Sequence, residues 1–380
     1  MPAQPRKSGL RQPVTGALAS LLIMGLSLAF ISLFDYQTFS GWISYALMCV
    51  IPMQIVVSVT WACNHPGFAA PLRQPHKGAS LVLLTALIGV IVGVVYFEVV
   101  GGGINPPAPM LIMCTILTVI VTFWFTFMFG AWPFNRLIKH PVAAGLTLLA
   151  AVYVASFILF RIFFDFGFMR GAPVYAPALD PHGIFNAWSA LVFFVAASAA
   201  MFLMLNFELW PLTRFPAIMH QPRLGIVWTI IVVAITAIAF YVGVNLMGMD
   251  PVQFMIAVPI PFIFGTIVTH NMLGGSLVPK VKQPLKGVLA TIATIIVGGL
   301  LAWMYGMLAP HITGALKHGP PGYDYEIWLA SALLAVTFPF LIFYAEFFKM
   351  WPLAVIERAE AVGGEGLSAG AEMAGAEGND

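Results

Sequence analysis

Charged residues are scarce in this sequence, and their scarcity excludes most classes of water-soluble protein. Asp, Glu, Lys and Arg make up 8% of the 380 residues, whereas a soluble domain carries about 25%. Hydrophobic residues make up 60%, and the mean hydropathy is +0.93. Because so few charges cannot cover a water-facing surface, the composition predicts a protein whose main solvent is lipid. No basic patch with interleaved aromatic residues occurs, which excludes nucleic acid as a partner.

Cysteines are few, and the common catalytic motifs are missing. Cys49, Cys63 and Cys114 lie in or near hydrophobic segments without CxxC spacing. We therefore expect small buried side chains rather than a disulfide framework or a zinc site. The eight histidines form no HExxH, HxxxH or HxxHH group, and neither G-x-S-x-G nor a P-loop occurs. The sequence thus indicates no enzyme class, no cofactor and no metal.

One short motif recurs five times, each time just before a long apolar segment. A basic residue and then Gln or His precede a proline, and a glycine follows about one turn later. The prolines and glycines of these Pro-Gly motifs are Pro13 and Gly16, Pro75 and Gly78, Pro141 and Gly145, Pro222 and Gly225, and Pro284 and Gly287. Proline suits the first turn of a helix, the base suits the headgroup level, and glycine permits close packing.

Ten apolar segments are long enough to cross the ~30 Å hydrocarbon core of a bilayer. They lie at about 15–35, 43–63, 79–99, 109–131, 143–165, 184–207, 224–246, 252–271, 287–308 and 327–349. The fold class predicted is an all-α polytopic membrane protein of ten transmembrane helices, arranged as five repeated helical hairpins. The repeat units are about 11–72, 73–138, 139–219, 220–281 and 282–352. The first span belongs to the first unit, and no A-x-A cleavage site follows it, so we expect it to be retained.

Basic residues are sorted by side of the membrane, which predicts the orientation. Of the 17 Lys and Arg residues, 14 fall on one side: Arg6, Lys7, Arg11, Arg73, Lys77, Arg136, Lys139, Arg214, Arg223, Lys280, Lys282, Lys286, Lys349 and Arg358. The positive-inside rule makes that side cytoplasmic in a bacterial-type inner membrane. The predicted layout is a cytoplasmic N-terminus (1–14), a membrane domain (15–352) and a cytoplasmic tail (353–380). The Gly-, Ala- and Glu-rich tail is predicted to be disordered from about residue 359.

Four carboxylates stand at the outer ends of the first helices of four units, namely Asp35, Glu98, Asp165 and Asp250. A carboxylate at a helix C-terminus meets the negative end of the helix dipole, so helix energetics do not explain the pattern. It predicts an acidic outer ring that concentrates cations. The alternative is that these acids cap the next segment or pair locally, as Asp165 could with Arg161.

Six polar residues lie near the cytoplasmic ends of the second helices and are predicted pore or transport residues: Asn64, Asn206, Glu208, His270, Asn271 and Glu346. Ionisable groups at membrane depth are costly, so Glu346 and Glu208 are candidate sites for a proton or a cation. The alternative is that both lie at the headgroup level, with Glu346 near Lys349 and Glu208 near Arg214.

Two further features bear on function. The segment Pro259-Ile260-Pro261 is predicted to break the eighth span near mid-membrane, and broken helices are typical of transporter sites. Ten helices arranged as five hairpins is also similar to the plan of the tellurite-resistance and slow-anion-channel proteins, in which hairpins surround a central pore. That likeness is architectural and does not fix function.

These features predict a transporter or channel for a small solute or ion, linked to cations or protons, with its path along the axis of the hairpins. The lipid bilayer and the transported solute are then its partners, and a homo-oligomer or a membrane complex is compatible with the pattern. The alternative is a non-catalytic or cofactor-holding membrane subunit of an enzyme complex.

Overall fold

The structure is a computed structural model that describes residues 12–278 and 280–353. Within these residues, ten helices are long and apolar enough to cross a membrane. They are α1 (Val14–Ile31), α2 (Tyr36–Thr60), α3 (His76–Val99), α4 (Pro109–Met128), α5 (Pro141–Phe163), α6 (Ala187–Asn206), α7 (Arg223–Leu246), α8 (Pro251–Met272), α9 (Leu285–Thr313) and α10 (Asp324–Phe347). The chain is therefore a mostly helical, multi-pass membrane protein. The predictions on Arg6, Lys7, Arg11, Arg358 and the tail from 359 lie outside the described residues.

Two helix ends differ from the predicted spans for reasons of capping. The second span begins at Tyr36 rather than 43, because the Asp35 carboxylate accepts bonds from Thr38 N (3.0 Å) and Thr38 Oγ1 (2.7 Å). The ninth span continues to Thr313 rather than 308. It ends at Gly314, whose extended backbone with positive φ (φ 83°, ψ −179°) is open mainly to glycine and cannot continue a helix.

The eighth span is broken, as predicted, although nearer one end than expected. Its helical pieces are Pro251–Ala257 and Pro259–Ile267, and Val258 between them has φ −121° and ψ −72°. Proline lacks an N–H and disfavours helical backbone in the residue before it, which explains a break at Val258. The first piece has 7 of the 22 residues of the span, so the break lies about a third of the way along it.

The helices form two layers around a common axis. Between 61% and 78% of each even-numbered span is buried, against 22% to 44% of each odd-numbered span. Each of α2, α4, α6 and α8 contacts the next even-numbered helix, and α10 contacts α2. The five even-numbered helices therefore make a closed inner ring, and the odd-numbered helices cover it.

Each outer helix lies in a groove between two inner helices. α3 packs on α2 and α10, α5 on α4 and α2, α7 on α6 and α4, α9 on α8 and α6, and α1 on α10 and α8. The close antiparallel pairs are thus α2–α3, α4–α5, α6–α7 and α8–α9, whereas the predicted units pair α1 with α2 and α3 with α4. We call the end of the bundle that carries the Pro-Gly motifs the basic face and the other end the opposite face.

The glutamines of the motifs connect the start of an outer helix to the end of an inner helix. Gln74 Oε1 accepts a hydrogen bond from Gly78 N (3.1 Å), and its Nε2 donates to the carbonyl oxygen of Phe347 (2.6 Å). The matching bonds run from Gln12 to Met272 O (3.1 Å), from Gln221 to Met128 O (2.9 Å) and from Gln283 to the Glu208 carboxylate (3.2 Å). These amides satisfy backbone groups that a helix leaves unpaired at its ends.

The motif glycines mark the closest approach between the layers. A Cβ atom built on Gly78 would lie 2.6 Å from the Phe348 ring. The corresponding aromatic rings are Trp61 at Gly145, Phe129 at Gly225 and Phe207 at Gly287. Since real Cβ atoms do not approach other atoms so closely, any larger residue would force an outer helix away from the inner ring.

All five inner helices end in the same way at the basic face. Each is followed by two consecutive residues with left-handed backbone: Ala62–Cys63, Gly130–Ala131, Glu208–Leu209, Gly274–Gly275 and Lys349–Met350. In α2, α4, α8 and α10 the last five residues form a π-helical turn. These ends place Glu208 and Lys349 at equivalent positions. The three cysteines are free and buried, as predicted.

Candidate functional site along the bundle axis

A cavity of about 40 Å³ lies on the axis of the inner ring, and all five inner helices line it. The side chains include Ile51 of α2, Val119 of α4, Ser198 of α6, Ile263 of α8 and Leu334 of α10. Among the described residues that line it, Ser198 alone carries a polar side-chain group. This part of the axis is therefore lined almost entirely by apolar side chains.

Two phenylalanines separate this cavity from a second one nearer the basic face. Phe123 of α4 and Phe338 of α10 line both cavities, and their rings pack edge to face with centroids 6.1 Å apart. The second cavity measures about 20 Å³, and ~10–15 Å³ is enough to hold one water molecule. Its walls include Ser58, Asn271 and Glu346, so the axis becomes polar on the basic side of the phenylalanine pair.

Asn271, Glu346 and Lys349 form a hydrogen-bonded cluster, the mouth group, where the axis reaches the basic face. Asn271 Nδ2 donates to Glu346 Oε1 (3.0 Å), and Lys349 Nζ donates to Glu346 Oε2 (3.1 Å). Asn271 is 8% exposed, and its Oδ1 atom has no hydrogen-bond partner within the described chain. Burial disfavours the Lys349 ammonium, but the Glu346 carboxylate outweighs this effect and raises the pKa of Lys349. The expected proximity of Glu346 and Lys349 is confirmed.

Asn206 and His270 form a second polar contact, which lies off the axis between α6 and α8. His270 Nε2 is 2.7 Å from Asn206 Oδ1, and Asn206 Nδ2 donates to Thr294 Oγ1 of α9 (3.4 Å). The amide oxygen of Asn206 can only accept a hydrogen bond, so Nε2 of His270 carries the proton in this contact. Neither residue lines the two axial cavities. The contact joins three helices and is separate from the mouth group.

Glu208 pairs with a different residue from the one expected. Its carboxylate pairs with Lys286 and accepts from Gln283, both near the start of α9, whereas the Arg214 guanidinium lies over the Trp210 ring. Glu208 therefore bonds to the start of the neighbouring outer helix, and not to Arg214, which was expected to lie near it. Partial burial acts to raise the pKa of Glu208, but the Lys286 and Gln283 donors lower it below its ordinary value.

Asn64 lies exposed at the basic face. The Lys77 ammonium is 3.5 Å from Asn64 Oδ1. Of the six predicted transport residues, the structure thus places Asn271 and Glu346 together on the axis and Asn206 and His270 together off it. Glu208 and Asn64 lie apart from both pairs, each beside a lysine.

The four predicted outer carboxylates lie at the opposite face in differing surroundings. Asp35 caps α2, and the Thr38 donors lower the pKa of its carboxyl group. Asp250 caps α8 and also accepts from Tyr323 OH (2.8 Å), while burial and this carboxylate raise the pKa of Tyr323 to about 12. Glu98 is exposed near the end of α3. Two of the four acids therefore have the capping contacts given above as the alternative.

Asp165 belongs to a cluster that the sequence did not indicate. It lies in the loop between α5 and α6, where β1 (Phe164–Asp165) and β2 (Phe185–Asn186) pair in parallel. Within the described ranges, Asp165, Asp180 and His182 are the one group of three side chains that could hold a metal ion. Asp180 is buried, and its oxygens already accept from two backbone N–H groups and Tyr175 OH (2.8 Å). Through these bonds Asp180 holds together the loop between α5 and α6.

The arrangement defines a class of protein: a multi-pass membrane bundle with a closed inner ring of five helices and a lined central axis. Neither a known protein family, nor a curated protein, nor a solved structure matches this chain.

Proposed function

We propose that this chain is a transporter or channel that carries a small solute or ion along the axis of its inner ring. The observation that carries the proposal is the pair of axial cavities, one of them lined by all five inner helices. Five helices of ~10 Å diameter in a closed ring leave a central gap of roughly 7 Å. Side chains of all five inner helices line the axis, so a change in their rotamers would widen or narrow it.

The distribution of polarity along the axis supports a gated path. The apolar lining of the central cavity and the Phe123–Phe338 pair would stop ions in this conformation, because an apolar constriction of this kind loses its water. The mouth group then offers a carboxylate and amide oxygen at the level where polarity begins. A passage requires the phenylalanine rings to move, and the mouth group is the place where a solute would wait.

We also propose that the basic face is cytoplasmic in a bacterial-type inner membrane, with both termini on that side. The support is the distribution of Lys and Arg, of which 14 of 17 lie on one side. An impermeant maleimide added outside intact cells should label a single cysteine placed at Lys317 and should not label one placed at Lys77. Labelling of both from outside would contradict this orientation.

The five Pro-Gly motifs further support an internal repeat of five units. Each motif starts an outer helix, and four of the five use a glutamine amide to bind the end of an inner helix or the carboxylate that follows it. A pair of residues with left-handed backbone also follows every inner helix. Such pseudo-symmetry places equivalent side chains around one axis, as a pore requires.

Flux into liposomes that contain the purified chain tests the proposal. Radiotracer or fluorescent-dye assays with small monovalent cations, protons and anions should reveal movement of at least one of them. Glu346→Gln should reduce this flux, whereas Glu208→Gln should leave it unchanged because Glu208 lies off the axis. Absence of flux for every ion, or equal flux in the wild type and Glu346→Gln, would contradict the proposal.

A further inference from the structure

The mouth group has an acceptor without a donor, and that acceptor lines the second axial cavity. Asn271 is more than nine-tenths buried, its Nδ2 donates to Glu346, and its Oδ1 atom has no partner in the described part of the chain. A buried, unpaired carbonyl oxygen costs ~1–3 kcal/mol, so a donor that reaches it stabilises the folded chain. The missing partner is therefore a hydrogen-bond donor that reaches the cavity.

The other walls of the cavity also favour a cation. Ser58 uses its hydroxyl proton on the Gln54 carbonyl (2.8 Å), so the oxygen of that hydroxyl remains an acceptor. Glu346 contributes a carboxylate, and Phe123, Phe127 and Phe338 contribute aromatic rings. Ring faces attract cations, and acceptor oxygens repel anions. The volume of about 20 Å³ admits one particle the size of water, which excludes hydrated ions and bulky solutes.

A cation bound in this cavity would have to compete with the Lys349 ammonium for the Glu346 carboxylate. The Lys349 ammonium lies 3.1 Å from Glu346 Oε2, on a side chain that is 50% exposed, whereas the Glu346 side chain is 21% exposed. The lysine thus neutralises the carboxylate from the solvent side and can swing away into water. A second cation in the cavity would lie next to this ammonium and would be repelled until the lysine leaves.

We infer that the mouth group is a binding site for an ammonium-sized monovalent cation that donates N–H hydrogen bonds. Asn271 Oδ1, Ser58 Oγ and the Glu346 carboxylate accept from it, and the Lys349 ammonium competes with it for Glu346. This inference rests on the proposed function for its biological meaning, because it specifies the substrate class at the mouth of the same path. The binding itself can be measured without any transport.

Thermal unfolding of the purified chain tests the site at constant ionic strength. Ammonium chloride replaces tetramethylammonium chloride stepwise. The tetramethylammonium cation is too large for the cavity and has no N–H donors. The unfolding temperature should rise and saturate, since a ligand that binds the folded state stabilises it. Potassium chloride, which matches ammonium in charge and approximate size, should give a weaker effect. An equal effect of potassium would contradict the role of N–H donors, and dependence on the anion would identify an anion site at Lys349 instead.

Three variants make the result specific. Asn271→Leu should raise the half-saturating ammonium concentration by about 10- to 100-fold, the effect of losing one charge-assisted hydrogen bond. Lys349→Met should lower that concentration because the competing ammonium is gone, and misfolding cannot produce such a gain. Glu208→Gln, a carboxylate at the equivalent helix end but off the axis, is the matched control and should not change it. Unchanged or weaker binding in Lys349→Met would overturn the competition.

The two experiments distinguish failure of the cation site from failure of the proposed transport function. Saturable ammonium binding without flux in liposomes would retain this site and contradict the proposed function. Flux of another ion, with no effect of ammonium on unfolding, would retain the proposed function and overturn this inference.

Discussion

The side-chain amide of Gln74 donates a 2.6 Å hydrogen bond to the carbonyl oxygen of Phe347, a residue 273 positions further along the chain. The bond joins the start of α3 to the end of α10, and the same amide also holds Gly78 N. Since α3 comes early in the chain and α10 ends the described spans, this contact helps to close the inner ring.

Replacing Gln74 by leucine should therefore destabilise the fold. Gln74→Leu removes two hydrogen bonds and leaves the Phe347 carbonyl unpaired, at a cost of about 1–3 kcal/mol. The apparent unfolding temperature of the purified variant in detergent checks this. Gln37→Leu is the control, because Gln37 is exposed at the opposite face. Equal unfolding temperatures for the wild type and Gln74→Leu would show that the bond contributes nothing.

Two adjacent glycines in α9 should respond in opposite ways to alanine. A Cβ atom on Gly298 would overlap the carbonyl oxygen of Pro261, where α9 crosses the broken α8, whereas a Cβ on Gly299 would meet nothing within 4 Å. Gly298→Ala must push the helices apart, at a cost of about 1–3 kcal/mol. Gly299→Ala should be neutral or stabilising by up to ~1 kcal/mol, since alanine favours helix. Thermal unfolding of both variants tests this prediction. Similar losses of stability in both would contradict the close approach of the two helices.

Much of the fold could be predicted from the sequence because the signals are local. Apolar length gives the ten spans, proline chemistry gives the break at Val258, and the basic residue, proline and glycine of each motif mark helix starts. The neighbours of each helix could not be predicted. Gln74 and Phe347 carry no mark of their pairing, and the contact between α2 and α3 depends on how five grooves are filled.

The candidate site was predictable only in part, for a similar reason. Glu346 and Asn271 stand out as polar residues in apolar surroundings, and the structure brings them together. Phe123 and Phe338 could not be identified, because the sequence holds 31 phenylalanines and helical periodicity does not separate an axis-facing ring from a packed one. Lys349 was expected near Glu346 at the headgroup level, but its place beside the axis depends on the left-handed turn after α10.

The Glu208–Lys286 pair should make a small, pH-dependent contribution to stability. The pKa of Glu208 is lowered from its ordinary value of 4.5, so the pair stabilises the fold above that pH and ceases to do so as pH falls through the lowered value. Because the Glu208 side chain is 45% exposed, the contribution at neutral pH is at most ~1 kcal/mol. Glu208→Gln should thus lower the unfolding temperature slightly at neutral pH, and this deficit should shrink as the pH falls progressively below 4.5. Glu98→Gln, at an exposed acid of the opposite face, is the control. A deficit that persists unchanged in acid would contradict the ion-pair explanation.

The phenylalanine pair should determine how well the axis is sealed. Phe338→Ala removes a ring that lines both axial cavities and joins them into one space, so water should reach the central cavity from the mouth group. Because dewetting depends on the width of an apolar constriction, we expect a higher basal flux of small ions in liposomes. Phe157→Ala is the control, since Phe157 lies on α5 with its ring 39% exposed on the outside of the bundle. Phe338→Ala leaves a cavity and should also lower the unfolding temperature, so flux is compared at equal amounts of folded protein. If both Phe338→Ala and Phe123→Ala leave flux at the wild-type level, the axis of the inner ring is not the path.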